Sequence, residues 1–222
     1  MKKILSTFAL LLILFSAGCI STTPEEAEEI FPLDENETEA LEYDGLDLTP
    51  IDDQRNNAIK GTQYLYPDYY RLEITGMVNE TITLTYNDII SYQPVSKAVP
   101  LDCVEGWGFA AKWTGVKMET LLNEAGIQEG ATAVIFYSED GYSTALDLDY
   151  LIDNNIIVAY KINDITLPPD RGFPLQLVAE GKYGYKWAKW IVKMEVVDDD
   201  YEGYWESRGY NNDADVGGPK FS

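Results

Sequence analysis

The sequence predicts an α+β fold of mixed sheets in a single domain. Three observations carry that expectation. Short strand-like runs, apolar or alternating, outnumber helical ones. The helical patterns are brief. No regular strand–helix–strand rhythm, the mark of a doubly wound parallel sheet, runs along the chain. The 222 residues are 45% apolar and 13% aromatic. That is long enough to bury a core and too hydrophobic for a globally disordered chain.

The elements follow in order. Tyr70 to Thr75 alternates as a strand does and stops at Gly76. Ile82 to Leu84 is a second short strand. Thr85 can cap a helix through Ser91, with Asp88 at its third position favouring the helix start. Lys97 to Leu101 reads as a strand running into Cys103. Val116, Leu121, Leu122 and Ala125 have helical spacing, ended by Gly126. Ala133 to Tyr137 is a buried-type strand, and Ser143 to Leu146 another. Leu148 to Ile152 makes a helical turn or two. Ile156 to Tyr160 is a strand, and Asn163-Asp164 turns the chain into Ile165-Thr166-Leu167. Leu175 to Val178 and Lys189 to Val197 complete the set.

The N-terminus reads as an export signal. Lys2 and Lys3 precede an apolar run, Ile4 to Phe15, too short to span a bilayer as an ordinary helix. The run ends in Ser16-Ala17-Gly18-Cys19, similar to a lipoprotein signal-peptidase site that would leave Cys19 lipidated. An ordinary signal peptide cut nearby is the alternative. Either way the protein is expected outside the cytoplasm, and with a lipid on Cys19 it is anchored to the cell membrane. Residues 1–19 are thus read as the signal, 20–54 as a disordered acidic tether, 55–210 as the domain and 211–222 as a tail.

Charge is distributed to match. The net charge is −22, yet half of it lies in residues 1–54, where Ile20 to Gln54 holds 13 acidic and no basic residues. A run of like charges repels itself and stays solvated. Such a chain is a poor nucleic-acid binder, because phosphate must be met by basic patches. Histidine is absent altogether. Its absence excludes Ser-His-Asp and Cys-His nucleophile systems, His-built zinc sites, the two-His iron triad and His-ligated haem. There are two cysteines. With Cys19 lipidated, Cys103 has no partner within the chain, so it is either a reactive or ligating thiol or a small buried hydrophobe.

Four segments carry chemical interest. Leu101-Asp102-Cys103-Val104-Glu105-Gly106-Trp107-Gly108 places the lone thiol at the end of a strand, before two glycines that let backbone approach a ligand. Asp140-Gly141-Tyr142-Ser143 is a turn opening a strand. Leu167 to Gln176 is a proline-stiffened loop with Arg171 at its apex. Lys182 to Trp190 sets three further lysines among aromatics. Read one at a time, each has an ordinary alternative. Lys186 and Lys189 can be solvent-facing charges at a strand edge. Tyr142 can be a turn tyrosine and Arg171 a surface residue. Trp107, Trp113, Trp187 and Trp190 read as core.

Taken together and in this order, the four segments resemble the molybdopterin-binding domain of the sulfite oxidase family. The likeness is greatest to its small periplasmic branch, the catalytic subunit of a methionine-sulfoxide reductase system. It covers roughly residues 55–210, and Arg55-Asn56-Asn57-Ala58-Ile59 adds a weaker match. The resemblance implies a deep cofactor pocket holding molybdopterin with molybdenum, or tungsten in its place. It makes Cys103 the metal ligand, a soft thiolate suited to such a centre. It places Asn57, Ser138, Arg171, Gln176, Gly184, Tyr185, Lys186 and Lys189 at the cofactor, with the lysines and the Gly184-Tyr185 backbone serving its phosphate. It puts Tyr142 where a tyrosine can hydrogen-bond substrate oxygen. The implied activity is two-electron oxygen-atom transfer on a small molecule, coupled to a separate electron-transfer protein, possible at the membrane.

Two departures refine this. Gln176 is neutral where the family often has a basic residue. Arginine occurs only at Arg55, Arg71, Arg171 and Arg208, none closely following Cys103. A neutral sulfoxide or N-oxide is therefore the expected substrate, rather than sulfite. The neutral Gln176 also leaves an alternative of another class, a non-catalytic scaffold that keeps the fold with an empty pocket.

Overall fold

A computed structural model describes residues 36–222. Cys19, expected to carry a lipid, the expected signal run and the first part of the acidic segment lie outside the described residues. Twelve strands and three short α-helices are arranged as a small hairpin and two five-stranded sheets.

The first sheet is antiparallel throughout. It joins β5 (Val95–Asp102), β6 (Gly108–Lys117), β9 (Ile157–Ile162) and β10 (Ile165–Thr166) in the order β10-β9-β6-β5, with β11 (Gln176–Val178) also paired to β9. The second runs β4 (Ile82–Thr85), β3 (Arg71–Gly76), β12 (Ile191–Val197), β7 (Ala133–Ser138) and β8 (Ser143–Asp147). Only its β12–β3 pair is parallel. The sheets are therefore mixed and the helices few, as expected of an α+β domain.

The helices form for local reasons. In α1 (Tyr86–Ser91), Thr85 Oγ1 accepts from the Asp88 amide at 3.1 Å and Asp88 Oδ2 from the Thr85 amide at 2.8 Å. This reciprocal cap satisfies two amides that the helix leaves open. Helix α2 (Met118–Ala125) buries Met118, Leu121, Leu122 and Ala125 and ends at Gly126, φ 71°. Helix α3 (Leu148–Asp153) buries Leu148 and Leu151.

Three expectations are corrected. Val116 belongs to β6 rather than to a helix, since it pairs with Val158 across the sheet. Strand β6 itself, the longest at 10 residues, is not apparent in the sequence. The expected tether of residues 20–54 does not hold for its described part. Residues 36–54 contain the hairpin β1 (Glu42–Tyr43) and β2 (Leu46–Asp47), and Leu48 is buried. Two of their acids, Glu37 and Glu39, are held by individual donors. The Glu37 carboxylate pairs with Lys161 and accepts from the Thr166 amide at 2.6 Å. Glu39 Oε1 accepts from the Ile51 amide at 2.7 Å and from Asn163 Nδ2 at 3.1 Å. The last residues are likewise no loose tail: Ala214 is fully buried, Tyr210 bridges Phe221, and Lys182 pairs with Asp215 at 2.6 Å.

Candidate cofactor site

A cavity of about 470 Å³ opens where the first sheet, the turn after β7 and the loops around β11 converge. Cys103 lines it from the end of β5. The chain reverses there: the Cys103 amide donates to the Trp107 carbonyl at 2.8 Å and the Gly106 amide to the Cys103 carbonyl at 2.9 Å. Gly106 holds φ +87°, open to glycine at no steric cost. Burial pushes the Cys103 thiol up, so the metal-free side chain is a thiol at neutral pH and a metal must displace its proton.

Ser138, at the end of β7, lines the cavity with a buried hydroxyl that has no partner among the described residues. Its amide closes the Asp140-Gly141 turn on the Tyr142 carbonyl at 2.9 Å. Gln176 enters from β11, 4% exposed. Gly184 and Tyr185 enter on a single 3-10 turn (Gly184–Lys186). Lys189 completes this wall. Its ammonium donates to the Asn57 carbonyl at 2.8 Å and to Asn56 Oδ1, and sits 4.4 Å from the Trp190 ring centroid. No carboxylate among the described residues lies within ion-pairing distance of it, and burial pushes it down to about 7. The glycine at 172 (φ +103°) makes room for the lysine stem, since a Cβ there would lie 3.0 Å from Lys189 Cβ and Cγ.

Asn57, Cys103, Ser138, Tyr142, Arg171, Gln176, Gly184, Tyr185 and Lys189 thus share one cavity, although their positions span much of the sequence. Three of the expected roles change. Lys186 is not in the cavity. It is 1% exposed, and its ammonium pairs with Glu206 at 2.7 Å and donates to the Ala145 carbonyl at 3.0 Å and Asn212 Oδ1 at 2.9 Å. A buried ammonium needs an anion and full hydrogen bonding, and Glu206, itself fully buried, provides the anion. Arg171 turns its guanidinium to main-chain carbonyls: Ile51 at 3.2 Å, Arg55 at 3.1 Å, and Gln54. It holds the segment 51–55 that leads into Asn56 and Asn57, and so shapes the cavity wall. The Tyr142 hydroxyl donates to the Tyr185 carbonyl. Burial raises its pKa well above the usual phenol range, the Glu206 carboxylate adding to the effect, so it is a neutral phenol with oxygen lone pairs still open.

Several functional-looking residues were not legible. Asp140 lines the cavity and is buried; its Oδ1 accepts from the Tyr142 amide at 2.9 Å. Its only sequence signal is the Asp-Gly turn. Glu206 has no signal, as it sits in an acidic, polar stretch. Tyr204, Trp205 and Tyr210 form an aromatic wall; Trp205 and Tyr210 resemble the family's C-terminal pattern in sequence, but nothing there assigned them a role. Of the four tryptophans expected as core, Trp113, Trp187 and Trp190 are buried and Trp107 only partly so, and all four line the cavity.

The residues suit an anionic, metal-bearing organic cofactor. A thiol, an orphaned buried hydroxyl and an unneutralised ammonium share a cavity with large flat aromatic walls. The fold and site define a cofactor-dependent oxidoreductase domain. The chain belongs to the oxidoreductase molybdopterin-binding domain family, which matches residues 59–205. It is accordingly a molybdenum-cofactor oxidoreductase. An uncharacterised oxidoreductase of Bacillus subtilis, YuiH, is 31% identical over 147 residues, covering 66% of this chain and 74% of that protein. The protein-methionine-sulfoxide reductase catalytic subunit MsrP of Gluconobacter oxydans is 28% identical over 162 residues, 65% of this chain and 52% of its own length. Among solved structures, the sulfane dehydrogenase SoxCD of Paracoccus pantotrophus superposes with a TM-score of 0.67 at 20% identity, covering 70% of this chain and 45% of that one. That likeness establishes the fold.

Proposed function

We propose that the protein is an exported, lipid-anchored oxidoreductase that transfers an oxygen atom to or from a neutral sulfoxide or N-oxide, with electrons exchanged through a separate protein. The observation that carries the substrate class is the surroundings of Cys103. Glu105, two residues along the chain from Cys103, lines the cavity there as an anion. Bonds from Trp107 Nε1 (2.8 Å) and Asn57 Nδ2 (3.3 Å) hold its carboxyl below the usual range. Arg55 and Asn57 also line the cavity near Glu105, and the rest of the wall at that end is aromatic. An anionic oxide meets a fixed like charge there, whereas a neutral oxide does not. The resemblance of MsrP to this chain supports a sulfoxide further.

The bound cofactor supplies the two-electron chemistry. The protein does the holding. Cys103, as thiolate, would ligate the metal. Lys189 would meet the anionic end, with the Gly184-Tyr185 main chain beside it. Ser138 would spend its free hydroxyl on the cofactor, and Gln176 and Asn57 would add neutral contacts. The Tyr142 oxygen can accept a hydrogen bond where it stands, and can donate one to a substrate oxygen only by leaving the Tyr185 carbonyl. The aromatic wall of Trp107, Tyr204 and Trp205 limits water at the cavity.

The test is metal and pterin content, with dye-coupled reduction of dimethyl sulfoxide and methionine sulfoxide. About one molybdenum per chain, lost in Cys103→Ala together with activity, is expected. Full activity in that variant would sink the reading, and a preference for sulfite would overturn the substrate class. Membrane partitioning that shifts to the soluble fraction in Cys19→Ala checks the anchor.

A further inference from the structure

Among the described residues, the cations outside ion pairs are concentrated in one place. The described residues include fourteen lysines and arginines, and seven of them sit in ion pairs. The other seven are Arg55, Lys60, Arg71, Lys117, Lys189, Arg208 and Lys220. Five of these seven lie at the cavity. Arg55 and Lys189 line it. The Lys60 ammonium lies 3.1 Å from where a side chain on Gly141 would begin, between the lining residues Asp140 and Tyr142. The Arg208 guanidinium stacks 3.8 Å from the centroid of Tyr204 and donates to the Tyr204 carbonyl. The Lys220 ammonium donates to the Val104 carbonyl at 2.7 Å, one residue from Cys103. Lys60, Arg208 and Lys220 are exposed. The acids lining the cavity are Glu105, exposed, and Asp140, buried against the Tyr142 amide.

Apolar surface accompanies this charge. Phe221 is 62% exposed and Val216 43%. Phe221 packs on Tyr210 at 5.1 Å, Tyr210 on Trp205 at 5.1 Å, Trp205 on Tyr204 at 5.2 Å and Tyr204 on Tyr142 at 5.7 Å, measured between ring centroids. A continuous series of rings therefore joins an exposed phenylalanine to the cavity wall. An aromatic centre ringed by arginine and lysine is the composition of a protein-binding surface. A small anion bound inside the cavity would reach Arg55 and Lys189 but would leave the three outer cations unused.

We propose that this rim is a docking face for an electron-transfer protein with an acidic surface. The proposal rests on the oxidoreductase reading, which needs an electron partner. The wider molecule strengthens the orientation. An acidic partner is repelled by most of a chain of net charge −22 and attracted at one patch, so encounter is steered to the cavity side.

The test uses the full-length, cofactor-loaded protein and two redox proteins as probes, an acidic flavodoxin and a basic cytochrome c. Binding is measured by titration at low and moderate salt, and dye-coupled sulfoxide reduction is measured alongside. Flavodoxin is expected to bind, and the Lys60→Glu/Arg208→Glu variant to weaken that binding by about tenfold or more. Arg71→Glu/Lys117→Glu, with the same change in net charge but contacts away from the cavity, is expected to change it less than about threefold. Dye-coupled activity should be retained in both. Lys60→Gln/Arg208→Gln, a milder pair, should fall between wild type and the reversed pair. Equal losses in the two Glu pairs, stronger binding of cytochrome c than of flavodoxin, or no flavodoxin binding would each overturn the docking face. Absence of dye-coupled activity in the wild-type protein would instead sink the oxidoreductase reading.

Discussion

Lys189 and Lys186, three residues apart, have opposite fates. Lys186 faces Glu206 in the interior and is neutralised by it, whereas Lys189 faces the cavity with only neutral acceptors. Burial pushes Lys189 down to about 7, so its ammonium is partly discharged near neutral pH in the empty protein. An anion favours the charged form. Capture of the pterin by metal-free apoprotein should therefore weaken as pH rises through about 7, by at most about tenfold per pH unit. Lys189→Met should abolish that pH dependence and lower retained pterin, read as pterin released per chain. For Lys186 the cost is to folding. Lys186→Met leaves the Glu206 carboxylate buried without its cation and is expected to cost about 3–5 kcal/mol in urea unfolding. Lys186→Met/Glu206→Leu, which removes both charges, should cost less than the single change. The sequence showed that lysines mattered in this stretch but could not sort them. The partner that decides, Glu206, lies 20 residues on and becomes a neighbour only through the fold.

At the scale of elements, local signals were readable and long-range ones were not. Thr85 and Asp88 specify the start of α1 by contacts three residues apart, and Thr85→Ala should cost about 1 kcal/mol by thermal or chemical unfolding. Strand β6 went unseen because its inward positions include Ala111 and Gly115, which carry little or no apolar side chain, although its burial alternates from Phe109 to Gly115. Its register with β9 shifts between Thr114 and Gly115, the extra residue, Tyr160, lying on β9. Gly115 lies at that shift and packs against β9. A Cβ there would come 2.0 Å from the Val158 carbonyl oxygen and 2.6 Å from Ala159 Cα, both backbone. Gly115→Ala is expected to destabilise the protein by about 3 kcal/mol, since neither strand can yield without losing pairs. The cavity-facing motifs were legible for a related reason. Cys103 and the turn before Tyr142 each end or leave a strand, where glycine and polar residues mark the break in the apolar pattern, whereas Ser138 was reached only through the family resemblance.

Across the whole molecule, the segment read as spacer has a structural task. Residues 36–54 cross the first sheet, fixed by Glu37 on Lys161 and Thr166 and by Glu39 on Asn163, and deliver residues 55–59 to the cavity. Arg171 then grips the carbonyls of Ile51, Gln54 and Arg55, and Lys189 grips Asn56 and Asn57. Composition could not reveal this, because an acid that will be paired and an acid that will be solvated look alike in a sequence. Most of the segment's attachments are single side chains rather than sheet pairings, so it should open at lower free energy than the sheets. Arg171→Ala is expected to speed amide hydrogen exchange about tenfold or more across residues 51–57 while leaving β6 and β9 protected. It should also lower retained pterin, because Asn57 and the partners of Lys189 move with the segment. Uniform acceleration through both sheets would mean that Arg171 supports the whole core. Unchanged exchange in residues 51–57 would mean that the acidic anchors at Glu37 and Glu39 suffice to hold the cavity wall without it.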